Sequence, residues 1–323
     1  MAARASAARY DSWRKRAFTR RRGVAAGLLV LSACTASVTP KPIRTSSQIP
    51  APSTSVTGVP TARPAGLDTC PASEAFSRLS VFARGLGAPD DLLALADGSM
   101  WVSDPVHGTL RHLSSAGATL ETIADPETPE GIALLPDGRL AVAEQRLNRV
   151  VTLRPPSTSR TTLFELPSAG TAAGLDGIAY DAGRGALLVP DSPHGTLLTW
   201  SYPTGPLRTI ARGLGRGVDA VAGPQNSIFV TAEAAAGLLK IVSGRGVPVG
   251  RLVQADDVVY ANGLLYVTLI NNGQVLALDA ETGAHRVLVT GIGAAQGLTV
   301  LRDGRLAIAD SNRGVVALAR ACS

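Results

Sequence analysis

From Ala88 onward the chain can be laid on itself six times, and this recurrence constrains the fold more than any other feature. The copies run from Asp90 to Asp104, Glu130 to Glu144, Asp176 to Asp191, Asp219 to Glu233, Asp256 to Leu269 and Gln296 to Asp310. Their closing landmarks follow one another at intervals of 40, 47, 42, 36 and 41 residues. Within a copy two apolar runs flank a turn, written Asp97-Gly98, Asp137-Gly138, Asn262-Gly263 and Asp303-Gly304 in four of them. Such dipeptides accept the positive φ that a tight hairpin turn demands, so each copy reads as a β-hairpin. Two further short strands follow each hairpin, such as Arg149–Arg154 and Thr161–Leu166.

Four antiparallel strands every forty or so residues make propeller blades, so the sequence predicts an all-β six-bladed propeller over residues 67–323. The last copy stops at Cys322 without an outer strand, and Phe76–Phe82 is the segment expected to supply it. This N-terminal strand, paired with the last blade, would close the ring and bring Cys70 beside Cys322. A disulfide between the two is expected in an oxidising exterior.

Composition narrows the function classes. Hydrophobic residues are 45% and charged residues 17%, enough to bury a large core. With 34 Gly and 21 Pro against 4% aromatic residues, turns are favoured over long helices. The formal charge of +6 is concentrated at the N-terminus, where residues 1–33 carry eight basic side chains against Asp11 alone. Setting these aside leaves 23 basic and 24 acidic residues, so the remainder lacks the basic footprint of a nucleic-acid-binding protein.

The N-terminus reads as an address. A basic stretch ending at Arg22 precedes the apolar run Gly23–Ala33, which is too short to span a bilayer and has signal-peptide proportions. Leu31-Ser32-Ala33-Cys34 resembles a bacterial lipobox, which implies cleavage after residue 33 and acylation of Cys34. Arg20-Arg21-Arg22 also resembles a twin-arginine export signal, with Sec export as the alternative. Residues 35–66 hold six prolines, no acid and no aromatic residue, so 34–66 is expected to be a lipidated, disordered tether. The expected protein is an exported monomer anchored to the outer face of the cell membrane.

The recurrence sets one polar residue at the start of each innermost strand: Asp90, Glu130, Asp176, Asp219, Asp256 and Gln296. In a propeller these starts surround the channel mouth. A second set ends the next strand, namely Asp104, Glu144, Asp191, Glu233 and Asp310, with Leu269 in the fifth place. Both sets fall at the same end of their hairpins, which makes one face acidic. Converging hard oxygens suit a divalent cation, Ca²⁺ foremost. The same carboxylates also suit the capping of backbone N–H groups or pairing with Arg. His107 and His194 occupy equivalent loop positions beside Asp104 and Asp191, where a base or metal ligand and simple repeat inheritance are both open readings. His112 and His285 read as surface positions. No Gly-x-Ser-x-Gly elbow, phosphate-cradling loop or His-Glu-x-x-His pair is present, which disfavours a serine hydrolase on the usual plan.

The runs PEGIALLPDGRLAVAE, LDGIAYDAGRGALLVPDSPHG and AQGLTVLRDGRLAIADSNRG resemble the six-bladed propellers of the gluconolactonase/regucalcin and NHL-repeat superfamily, over roughly residues 76–322. The resemblance implies a divalent metal held by Glu, Asn and Asp side chains at inner-strand starts, the positions of the first set above. Asp90-Asp91-Leu92 stands where the family leads with Glu-Gly-Pro, and no Asn occupies an inner position. The second set resembles the structural Asp of NHL repeats. The leading expectation is therefore a propeller binding a small molecule or envelope protein on its acidic face. A metal-dependent lactonase, whose cation polarises a carbonyl while a channel carboxylate activates water, is the second. A structural interaction module of the envelope is the third. No catalytic residue is assigned from sequence.

Overall fold

Turn chemistry shapes each hairpin. Gly98, Gly138 and Gly304 sit at φ near +80°, and Asn262-Gly263 turns with φ of 52° and 79°, as the dipeptides demand. These turns belong to a computed structural model that describes residues 65–167, 174–233 and 237–323. The expected signal segment, Cys34 and tether residues 35–64 lie outside the described residues.

The described chain is all-β in a propeller-like arrangement. One four-stranded antiparallel sheet contains Leu92–Ala94, Met100–Asp104, Thr109–Leu113 and Thr119–Ala124. The next contains Pro129–Leu134, Leu140–Glu144, Arg149–Leu153 and Arg160–Glu165. Eight strands lying between Ala179 and Pro248 form one sheet, in which two antiparallel four-strand runs share a parallel pairing of Arg212 with Arg245. The sheet from Ala255 to Thr290 gains Glu74–Ala75 as a fifth, parallel strand. In the last sheet Ala295–Val300, Arg305–Asp310 and Val315–Arg320 are joined by Ser80–Arg84 from the N-terminal side. The innermost strands touch in a cycle: Leu92–Ala94, Pro129–Leu134, Ala179–Asp181, Gly217–Ala222, Ala255–Ala261, Ala295–Val300, then Leu92–Ala94 again.

Second strands such as Met100–Asp104 and Leu140–Glu144 are buried along their whole length, because each sheet packs between two others. Outer strands such as Thr119–Ala124 are mostly exposed.

The closing strand begins later than the expected Phe76–Phe82. Phe76–Arg78 forms a 3₁₀ turn, and pairing with Val315–Arg320 starts at Ser80. At that turn the Phe76 ring packs on the core beneath the Arg313 guanidinium, 4.5 Å away, a contact that a strand starting at Phe76 would have to accommodate. Cys70 and Cys322 are joined by the expected disulfide. The Cys322 N–H donates to the Tyr266 hydroxyl at 3.1 Å, and Asn262 Nδ2 donates to the Cys322 carbonyl at 2.9 Å. Among the described residues no helix is long and apolar enough to cross a membrane.

Candidate functional site

The channel ends of four inner strands are built on an irregularity. Pairing skips between Pro129 and Ile132, Gly217 and Ala220, Ala255 and Val258, and Ala295 and Leu298. Two residues of each of these four strands therefore bulge out of the ladder. Register identifies the first of the two as Glu130, Val218, Asp256 or Gln296, and the repeat aligns Asp90 and Asp176 with them. The second is Asp91, Gly131, Gly177, Asp219, Asp257 or Gly297.

This register corrects the sequence alignment in the fourth copy. Gly217 pairs with Ala232 as Pro129 pairs with Glu144, so Val218 and Ala232 are the equivalents, rather than Asp219 and Glu233. Glu233 lies one residue beyond its strand, where its N–H donates to the Arg216 carbonyl just as that of Gln145 donates to Thr128. A bulge breaks the period-two alternation, so polar and apolar spacing alone cannot fix register across it.

The first bulge positions bring three of the six expected residues together. One carboxylate oxygen from each of Asp90, Glu130 and Asp176 lies within 4.8 Å of the others, and the three side chains are 6%, 0% and 3% exposed. Gln296 joins them by donating from Nε2 to Asp90 Oδ2 at 2.9 Å, while its buried Oε1 has no hydrogen-bond partner among the described residues. Asp256 and Asp219 line the same small pocket together with Asp91 and Asp257. A positive charge enters from the loop before Gly217: Arg216 Nη2 lies 2.7 Å from Asp176 Oδ2, and its Nε pairs with Glu233.

The second bulge positions join each inner strand to the next in two ways. Where the residue is Gly, its N–H donates across to a carbonyl: Gly131 to Asp176, Gly177 to Val218 and Gly297 to Asp90, at 3.0, 2.8 and 2.8 Å. A Cβ at Gly297 would stand 2.1 Å from the Asp90 oxygen, so close approach needs glycine. Where the residue is Asp, its carboxylate accepts a neighbour's N–H: Asp91 from Ile132 at 2.5 Å, Asp219 from Val258 at 3.2 Å, and Asp257 from Leu298. The Asp N–H then needs another partner. Hydroxyls of Ser103, Thr231 and Thr268 accept from Asp91, Asp219 and Asp257 at 2.9, 3.0 and 2.8 Å.

Sequence reasoning passed over Asp91, Asp257 and Arg216, although a signal for the first two was present. Ser or Thr near the end of the second strand accompanies Asp at the bulge, and Ala143, Pro190 or Ala309 accompanies Gly. Burial dominates the electrostatics of this layer. It pushes the Asp219 carboxyl up to about 7, against the lowering effect of its hydrogen bond with Asp257. Asp257 is raised well above the carboxylate range by burial and then by the charge of Asp219, and Asp91 by burial and then by Asp257.

The other expected residues pair locally instead of entering the cavity. Asp104 accepts the His107 N–H at 3.0 Å and meets its Nδ1 at 2.7 Å, and Asp191 meets His194 Nδ1 at 2.8 Å. Asp310 holds Arg313, and Glu144 holds Arg149. These are loop-closing contacts between strands of one sheet. His112 is half-buried rather than on the surface, stacked on Trp101 with ring centroids 4.6 Å apart. Its Nε2 meets Ser99 Oγ at 2.9 Å, but that hydroxyl donates to Asp97, so the pair is no nucleophile and base.

A cycle of inner strands around an acidic channel, each backed by its own antiparallel strands, defines a β-propeller. No protein-family model matches the sequence, and no curated protein matches it. Solved structures do match in fold. A structural-genomics protein described as a gluconolactonase superposes with a TM-score of 0.63 at 17% identity, over 81% of this chain and 98% of its own. An oxidoreductase of Thermus thermophilus, described as a glucose dehydrogenase, gives 0.61 at 18% identity, over 75% and 99%. Virginiamycin B lyase from Staphylococcus aureus gives 0.57 at 15%, over 73% and 81%. At these identities the likeness is one of fold.

Proposed function

We propose that this chain is a six-bladed propeller that binds a hard divalent cation, calcium foremost, at the mouth of its channel. The blade count takes the eight-stranded sheet as two blades, which the closed cycle of inner strands supports. One observation carries the cation reading: the buried oxygens of Asp90, Glu130 and Asp176 within 4.8 Å of one another. Three carboxylates so close repel unless positive charge lies among them, Arg216 beside Asp176 being one such charge and a bound cation another, and an all-oxygen set suits calcium or magnesium over softer metals. Gln296 Oε1 beside Asp90, without a partner among the described residues, is a further neutral oxygen donor. Asp90, Glu130 and Asp176 would hold the ion, with Gln296 at the edge.

A second reading, gluconolactonase-like hydrolysis, is favoured by the fold neighbour of that description and by Asp219 and Asp257. A bound cation would supply Lewis-acid polarisation of a carbonyl oxygen. The hydrogen-bonded Asp219 and Asp257 line the same cavity, and the raised Asp219 carboxyl exchanges its proton near neutrality, as a general base or acid must. Export and lipidation at Cys34 belong to the proposal on the strength of Leu31-Ser32-Ala33-Cys34, and Cys34→Ala should release the protein from membranes.

The test is a melting-temperature titration with Ca²⁺, Mg²⁺ and Mn²⁺ after chelator treatment. Binding to the native state raises the midpoint by mass action. The rise should vanish in Asp176→Ala, and a flat titration for the wild-type chain sinks the cation reading. A lactone panel with the ion supplied then separates hydrolase from binding module.

A further inference from the structure

We infer that Arg216 is a built-in counter-cation that competes with the metal ion for Asp176 and so sets the affinity of the channel site. The inference rests on the cation reading above and adds a residue to it. Among the equivalent positions before each inner strand (Ala88, Thr128, Gly174, Arg216, Gln254 and Ala294) the fourth alone is charged. It stands in the copy where the first bulge position, Val218, offers no side-chain oxygen. The ring thus lacks a donor at one place and carries a guanidinium beside it.

The geometry makes the two uses of Asp176 exclusive. Arg216 Nη2 already lies 2.7 Å from Asp176 Oδ2, and Asp176 is 3% exposed. A divalent ion shared with Asp90 and Glu130 would set a dication against the guanidinium across one carboxylate. At such distances, inside a site shielded from water, like charges repel strongly. Arg216 can yield without losing its place. Its Nε stays on Glu233, which lies outside the trio, and its carbonyl accepts the Glu233 N–H. Its side chain is 21% exposed, so the freed arm of the guanidinium can reach solvent. Ion binding therefore trades the Arg216–Asp176 bond for the metal, and affinity falls by the worth of that bond.

Calorimetric titration of calcium chloride into the full chain tests this. Arg216→Gln should tighten calcium binding about tenfold, the equivalent of one charge-assisted hydrogen bond. Asp176→Asn should weaken it. Equal or weaker binding by Arg216→Gln, with the wild type binding calcium, overturns the inference and leaves the cation reading intact. Absence of calcium binding by both the wild-type and Arg216→Gln chains overturns both. Should Arg216→Gln not fold, crystals of the wild-type chain grown with and without calcium give the same answer. Asp176 Oδ2 should turn from Arg216 to the ion, and an ion on Asp90, Glu130 and Asp176 with the Arg216 contact unchanged overturns the inference.

Discussion

The carboxylate of Asp219 accepts the backbone N–H of Val258, 3.2 Å away in the next inner strand, so a side chain does between these strands what a backbone carbonyl does elsewhere in the ring. The price of that substitution is a second partner for the Asp219 N–H, which Thr231 supplies. Six inner strands are linked by three bonds of each kind, and the acidic second layer of the channel is the by-product of the three that use Asp.

Thr231 should therefore be costly to replace. Its Oγ1 accepts from the Asp219 N–H and donates to the Asp256 carbonyl at 2.5 Å, both buried. Thr231→Val keeps the shape and removes both bonds, so a loss of about 1–3 kcal/mol is expected in urea unfolding. A change below a few tenths would mean that the hydroxyl does not link the strands.

Gly297→Ala should destabilise the junction that closes the ring onto its first strand. The added Cβ meets the Asp90 carbonyl oxygen at 2.1 Å, and the strand must move away, losing the 2.8 Å hydrogen bond. A loss of more than about 2 kcal/mol is expected, measured by denaturant midpoint at unchanged slope.

Asp219 makes stability depend on pH. Its folded-state pKa of about 7 exceeds the unfolded value of 3.8, so between these the native chain holds more protons. Stability should then fall as pH rises from about 4 to about 7, by up to about 1.4 kcal/mol per pH unit from this group, and level off above. With chelator present, Asp219→Asn should flatten the slope and raise the melting temperature at pH 8. An identical slope in the variant would show that Asp219 ionises normally in the fold.

Reduction of Cys70–Cys322 should lower stability more than most single substitutions. The bond spans 252 residues, and a chain-entropy account assigns such a loop about 5 kcal/mol. Heating with and without reductant measures it, and Cys70→Ser with Cys322→Ser should match the reduced protein.

Much of the fold was legible because hairpins are local. The Asp-Gly and Asn-Gly turns, the apolar runs around them and the position of Cys70 and Cys322 at the ends need no knowledge of distant residues. The candidate site was legible in part for the same reason. Asp90, Glu130 and Asp176 occupy equivalent points of a recurring hairpin, and the recurrence places them side by side. Asp219 was displaced by one position because two residues at a bulge share no partner, and no pattern of polarity counts them. The closing strand starts at Ser80 because Phe76–Arg78 is taken up by a 3₁₀ turn whose ring contact with Arg313 comes from the far end of the chain.

The amino-acid order alone determined the repeating hairpins, the acidity of one end of them and the pairing of the terminal cysteines, since each follows from spacing along the chain. Tertiary structure decided which acid stands in which layer, that Arg216 reaches across to Asp176, and that Asp and Gly share the work of joining strands. Those outcomes depend on contacts between residues forty positions apart, whose distances are set by how neighbouring sheets pack, and packing leaves no period in the sequence.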